Sequence, residues 1–412
     1  MAGQYYDLIV IGDAPAGRIA AAILARDGMR ILHLNGFGWP SSLLWSSSIL
    51  LEHLLEQIGG RTCLAPPLPI HFRQDDACLL LHGEAPLRDE LQREYPRQAA
   101  EILDLLDRLN GLGGQVQAVL LQEKFSPAGG WSDRLRWPFL AIKHGLSPRL
   151  HRQLLTDWLQ AARASATATR VISGLLSTAT LEPADTITVI EAALAVAQLR
   201  NEHGVAPAVL DSLLSRRLNE AGVPHRDAFT LTALKQVAGR WSCRFGEEEI
   251  QAGLVALAGQ PGWPIEGLDA ATLQKPRSGL WRLDRFVGRV AAVHASRILF
   301  ASDIGPLQIA IGSRKGRPDI WLRTACGLSE TPELKARLDR LFPFTDYLPL
   351  LIETPHPPAA AAGFCGRLGN PGLGRRNLHL ASGALLYPKL GLAGEALTAL
   401  ELLAVAGRKR RR

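Results

Sequence analysis

The first 35 residues constrain the fold more than any other stretch, because their hydrophobic pattern changes period twice. Tyr6 to Ile11 (YDLIVI) is a short apolar, β-branched run, suited to a strand buried on both faces. Gly12 to Gly17 (GDAPAG) is a turn. Arg18 to Arg26 (RIAAAILAR) is Ala-rich and helix-forming, and Gly28 stands where a helix C′ residue would. Met29 to Leu34 (MRILHL) is a second strand. Strand, glycine-bounded turn, helix and strand make a βαβ unit, whose crossover is right-handed.

Beyond it the long middle reads as helical. Glu101 to Leu109 is a helix with Asn110-Gly111 as its stop, and Ser147-Pro148 is an N-cap and N1 pair. Thr186 to Arg200 is a further apolar helix, while residues 59–70 and 124–139, rich in Gly, Pro and Trp, read as loops. Leu210 to Glu220 is a helix ending at Ala221-Gly222. Strand-like runs follow at Ala228–Leu234, Arg240–Phe245 and Leu254–Ala258, with GEEE as a turn before the last. A second sheet is expected from Ser278 to Thr324, including Val290–His294 and Ile320–Arg323. Thr331-Pro332-Glu333 caps a helix stopped by Pro343. Asn377 to Ala381 is a strand, and a helix runs from Leu392 to about Val405.

Several function classes are disfavoured. The 412 residues suit roughly two to three domains. A bilayer span needs about 18 or more consecutive apolar residues. The most apolar stretch, Val290 to Gly312, is broken by His294, Arg297, Asp303 and Pro306. The N-terminus has no basic region and runs straight into a strand, so no signal peptide and a cytoplasmic location are expected. Five basic residues, Arg408 to Arg412, supply most of the formal net charge of +7, so the body is nearly balanced and no nucleic-acid partner is expected. Cys63, Cys78, Cys243, Cys326 and Cys365 are odd in number and never spaced as CxxC. That spacing fits neither a disulfide framework nor a zinc ribbon, and no metal site is expected.

GDAPAG between a strand and a helix is a variant of the dinucleotide fingerprint GxGxxG. Gly12 and Gly17 hold its outer positions and Ala14 the middle one. The helix N-terminus that follows would offer N–H groups and a positive dipole end to a phosphate. The same residues also serve as a plain βαβ scaffold.

Two further segments extend the match. Val205 to Ala258 is similar to the middle of flavoprotein oxidoreductases of the phytoene desaturase and amine oxidase type, with a helix, an AGV turn and a strand leading into a β-meander. The segment NLHLASGALLYPKLGLAGEALTALELLA resembles the C-terminal flavin motif of that superfamily. The matching pieces are residues 5–35, 204–258 and 374–406. The resemblance implies an α/β fold: a Rossmann-like FAD/NAD(P)-binding domain with a discontinuous helical plus β-sheet substrate domain. The expected segments are 1–58, 204–270 and 355–407 for FAD binding, 59–203 for a helical cap, 271–354 for a β-rich substrate domain and 408–412 for a basic tail.

The resemblance also implies FAD as cofactor. Gly12, Ala14, Pro15, Ala16 and Gly17 would meet the pyrophosphate, and Asn35 the adenosine ribose. Leu231 falls where the family's strand backbone meets the adenine. Ser382 and Gly383 occupy the positions next to the ribityl chain, and Gly391 and Leu392 open a helix aimed at the flavin. Leu231 is equally a core residue and Gly391 equally a turn glycine. Tyr387 and Lys389 lie in the loop expected near the flavin ring. Three positions depart from the family pattern: Ala14 replaces a glycine, Asn35 an acidic residue, and Gly383 a carboxylate. The expected activity is hydride transfer from a small or apolar substrate to flavin, with no catalytic side chain identified. The alternatives are a flavoprotein-fold binding or scaffold protein with little or no FAD, and an NAD(P)-binding protein.

Overall fold

The computed structural model describes residues 4–36, 43, 45–123, 131–259, 279–287, 297–301, 305–314, 317–324, 332–342, 346–353, 377–387 and 389–410. The chain opens with β1 (Tyr5–Ile11), α1 (Pro15–Arg26) and β2 (Ile31–Asn35), the βαβ unit read from the sequence. Leu8 to Ile11 are all buried, as a strand covered on both faces requires. After α2 (Ile49–Gln57) come the short β3 (Leu64–Ala65) and the hairpin β4 (Ile70–Gln74) and β5 (Ala77–Leu81). A helical region follows: α3 (Leu87–Glu94), α4 (Ala99–Gln122), α5 (Trp131–Lys143), α6 (Leu155–Ala161), α7 (Ala166–Thr180) and α8 (Val189–Leu199).

The chain then returns to the first sheet through β6 (Gly204–Val205), α9 (Pro207–Glu220), β7 (His225–Asp227), β8 (Ala233–Val237), β9 (Arg240–Phe245) and β10 (Glu248–Leu257). The second sheet is built from β11 (Gly279–Val287), β12 (Arg297–Ala301), β13 (Leu307–Arg314) and β14 (Arg317–Thr324), then α10 (Pro332–Leu341) and β15 (Asp346–Glu353). The described chain closes with β16 (Leu378–Leu380), α11 (Gly383–Leu386) and α12 (Gly391–Arg410).

The architecture is α/β with two large sheets. The first has the order β7-β2-β1-β10-β9-β8, with β16 also on β10. Strands β7, β2, β1, β10 and β16 pair in parallel. One edge of β10 is shared: its first half pairs with β9 and its last three residues, Val255 to Leu257, with β16. The second sheet runs β15-β11-β14-β13-β12-β4-β5. The region read as a helical cap thus lends it the hairpin β4–β5, which joins by the parallel pair β4–β12.

Several local expectations are corrected by tertiary packing. Helix α4 runs straight through Asn110-Gly111 to Gln122. Gly111 faces open space within the helix, while a Cβ on Gly113 would stand 2.3 Å from the Ala193 carbonyl oxygen of α8, so glycine at 113 lets the two helices touch. Residues 131–139, read as loop, belong to α5, which Trp137 anchors with no exposed surface despite Pro138 within the helix. Ser147-Pro148 starts only a 3₁₀ turn, Pro148–His151. Ala228–Thr230 is likewise 3₁₀, and Glu248 and Glu249 of GEEE belong to β10. Helix α12 continues through Arg408 to Arg410, past the expected end. Val290–His294 lies outside the described residues.

Cys63, Cys78 and Cys243 are free thiols, and burial pushes Cys243 up to about 12; Cys326 and Cys365 lie outside the described residues. Among the described residues no helix is long and apolar enough to cross a membrane, and no three His, Cys, Asp or Glu side chains are grouped to hold a metal.

Candidate functional site

The carboxyl ends of β1, β10 and β16 meet the N-terminus of α1. Ligands of open parallel sheets bind outside the carboxyl ends of the strands. The Ala258 N–H donates to the Ile11 carbonyl (2.6 Å) and the Ala381 N–H to the Leu257 carbonyl (2.7 Å), which extends the three-strand junction past the strand ends. Gly12 turns the chain with φ +108°, and a Cβ there would lie 2.5 Å from the Ala258 carbonyl oxygen. A Cβ on Gly17 would lie 2.5 Å from the Ala258 methyl and 3.0 Å from Val10. The outer glycines are therefore required by strand and helix packing alone. Ala14 is fully buried and its N–H donates to the Ala258 carbonyl at 2.8 Å. Pro15 takes the first helical position, where a missing N–H is tolerated.

Helix α1 has no side-chain cap at Ala14 and no acidic residue in its first turn. Its anion comes from the other end of the chain. The Ala16 N–H donates to the Glu395 carboxylate at 3.0 Å, and the Ala384 N–H to its second oxygen at 3.3 Å. The Gly383 N–H is a third backbone donor to this group. Burial pushes the fully buried Glu395 carboxyl up to about 7, against the opposing pull of these three N–H groups and of Arg323 on β14. Gly383 has no room for a side chain: a Cβ would lie 2.3 Å from the Glu395 nitrogen. The carboxylate absent at Gly383 is thus replaced in space by one reaching in from α12. Ser382 beside it is buried, and its hydroxyl oxygen has no hydrogen-bond partner. Gly391 opens α12 with φ +50°, and Leu392 is buried in the core.

At the end of β2 the polar residues cluster. Asn35 is exposed, and the Gly36 N–H donates to Asp13 at 2.8 Å. The His33 Nε2 lies 3.1 Å from the Gly12 carbonyl and 3.3 Å from Asp13, while its Nδ1 lies 3.0 Å from Nδ1 of His225. Burial, then the neighbouring His33 and Arg18, hold His225 below the usual imidazole range. Burial pushes Asp13 up, but His33, the Gly36 N–H and Arg18 more than offset it, so the carboxyl sits below its ordinary range. Arg18 reaches across to Asp211 and to the Ser215 hydroxyl on α9. These groups line a cavity of about 580 Å³, and a second of about 390 Å³ adjoins Asn35, Gly36 and Phe229.

The turn residues, Ser382 and Gly383 thus converge, with Asn35 at the rim of the adjoining cavity. Leu231 is buried, and its N–H closes the 3₁₀ turn on Ala228. Tyr387 and Lys389, expected on a substrate-facing loop, are both buried. The Tyr387 hydroxyl donates to Glu401, and the Lys389 ammonium to the Thr186 carbonyl (2.7 Å) and Glu191 (3.2 Å) on α8. Sequence reasoning missed Glu395, His33, His225, Asp13 and Arg18. Glu395 did leave a signal, a lone carboxylate among the small residues of GLAGEALTAL.

The sequence matches no protein-family model and no curated protein. Solved structures do match over the whole chain. Cyclohexylamine oxidase from Brevibacterium oxydans IH-35A superposes with a TM-score of 0.57 at 13% identity, covering 99% of this chain and 100% of its own. A wild-type putrescine oxidase bound to putrescine gives 0.59 at 13% identity, with 100% of both chains covered. An oxidoreductase from Methanosarcina mazei gives 0.56 at 11% identity, covering 96% of this chain and 99% of its own. The chain has the fold of these enzymes.

Proposed function

We propose that the chain is an FAD-dependent oxidoreductase. The observation that carries this reading is the return of β16 and α12 to the junction of β1, β10 and α1, where the C-terminal segment completes a nucleotide cradle begun at residue 5. That closure favours FAD over a simple NAD(P) site, since an NAD(P) reading leaves the C-terminal segment unexplained. FAD, when bound, supplies the hydride acceptor.

The residues that would hold it are Gly12, Ala14, Pro15, Ala16 and Gly17 at the pyrophosphate, Asn35 at the ribose, and Ser382, Gly383, Gly391 and Leu392 on the flavin side. Leu231 keeps only its carbonyl for an adenine, since its N–H is used. The frame fits a dinucleotide, and the unpartnered Ser382 hydroxyl is a polar group awaiting a ligand. The centre of the cradle fits only once the Ala16 N–H is released from Glu395. Asn35 binds ribose hydroxyls without a charge, which costs part of the usual affinity. The substrate class is a small or apolar molecule; one neighbour holds putrescine, so small amines are the first compounds to assay.

The competing reading is a flavoprotein-fold scaffold without flavin, and Glu395 in the anion position is what favours it. Incubation with FAD, desalting and a visible spectrum separate the two. Retained flavin absorbance with a raised melting temperature is expected. A colourless protein whose melting temperature ignores FAD supports the scaffold and ends the oxidoreductase reading.

A further inference from the structure

We propose that Glu395 is an intramolecular plug: its carboxyl group fills the anion subsite at the N-terminus of α1, so a phosphate ligand enters only when this side chain withdraws. Four observations carry this. First, the N–H groups of Ala14 and Ala16 are already used. The Ala14 N–H is given to the Ala258 carbonyl, Pro15 has none, and the Ala16 N–H is given to Glu395. Second, the carboxyl is gripped from two sides, by Ala16 on α1 and by Gly383 and Ala384 at the start of α11. Third, Glu395 has no exposed surface, so no water competes for those N–H groups. Fourth, the Gly383 backbone is pressed against α12, which holds the Glu395 carboxyl at the N–H groups that start α11.

The chemistry of the subsite is that of any helix N-terminus, where N–H groups and the positive dipole end favour one anion. Two anions cannot share it. A carboxyl group supplied by the chain therefore competes directly with a pyrophosphate, and the plug lowers affinity for every ligand that depends on this subsite. The cavity beside Asp13, Arg18, His33 and Asn35 remains open in the plugged state. A nucleoside can occupy that cavity with the plug in place, whereas a dinucleotide spanning both cannot.

The inference rests on the flavin reading only for the identity of the natural ligand, so the test uses two probes, FAD and inorganic pyrophosphate. Dissociation constants and melting temperatures are measured for the full-length wild type, Glu395→Ala and Glu395→Gln. Glu395→Ala empties the subsite and is expected to bind both probes about tenfold or more tightly than wild type. Glu395→Gln keeps an acceptor for the Ala16 N–H and should gain less; it also remains informative if the alanine variant folds poorly. If pyrophosphate binding improves and neither wild type nor Glu395→Ala binds FAD, the plug stands and the flavin reading fails. If wild type and Glu395→Ala bind FAD equally well, the flavin reading stands and the plug is overturned. Failure of all three proteins to bind either probe overturns both.

Discussion

The backbone N–H of Ala16 donates to the Glu395 carboxylate at 3.0 Å, joining the first helix of the chain to the last across 379 residues of sequence. An uncapped helix start leaves N–H groups without partners. Here the partner is supplied by α12, which packs against α1. The contact is structural and at the same time lies where the fold's cofactor phosphate is expected.

Stability should depend on pH through Glu395. Its folded-state pKa, about 7, lies above the ordinary 4.5, so the folded protein holds a proton that the unfolded chain has lost. This contribution is fully present below about 4.5 and is lost as pH rises to about 7. The difference is on the order of 3 kcal/mol. Glu395→Gln should flatten this part of the profile, as measured by urea unfolding at pH 5 and pH 8. An unchanged slope in the variant would show that Glu395 is not the titrating group.

Gly12→Ala and Gly17→Ala should each destabilise the protein by on the order of 2 kcal/mol or more, with or without nucleotide, because the new methyl group meets Ala258 at 2.5 Å. Gly12 adds backbone strain from φ +108°. Thermal melts of the two variants without cofactor check this. Wild-type melting temperatures would mean that these glycines serve a ligand alone.

Lys389 and Glu191 form a buried ion pair at 3.2 Å that ties the loop before α12 to the first turn of α8. Lys389→Met leaves Glu191 buried without its cation and should cost about 3 kcal/mol. Adding Glu191→Gln removes the stranded charge while keeping an acceptor for the Thr188 N–H, which now bonds Glu191 at 2.8 Å, so part of the stability returns. Chemical denaturation of the single and double variants measures the coupling. A stable Lys389→Met variant would instead leave this lysine open to a role in substrate binding.

Within α4, three nearby glycines should respond differently. Gly111 and Gly114 face open space, so alanine at either should stabilise by about 0.5–1 kcal/mol. Alanine at Gly113 pushes into the Ala193 carbonyl and should destabilise, as melting curves of the three variants would show.

The contrast at α4 also explains what the sequence made legible. The βαβ unit and the C-terminal strand and helix are local patterns of period and glycine placement, and both lie where those patterns put them. Asn110-Gly111 misled because asparagine and glycine lower helix propensity by only about 1 kcal/mol or less, which the packing of α4 on α8 overrides, and one chain segment does not announce its neighbour. The joining of β4 to β12 pairs residues 227 positions apart, Ile70 with Arg297, and no local signal specifies that pairing. At the site, the glycine turn was visible, but the group that fills it was not. Glu395 stands on a helix whose small residues marked it as packed, and only the fold shows that its carboxyl ends at Ala16.

Hydrogen exchange measured by mass spectrometry with and without saturating FAD tests most directly whether the cofactor lies on this turn. Peptides covering residues 12–18 and 382–395 are expected to exchange more slowly with FAD, while those from β11 to β14 keep their rates. Unchanged exchange in both segments, or protection confined to other parts of the chain, would contradict the placement of a dinucleotide at Gly12 to Gly17.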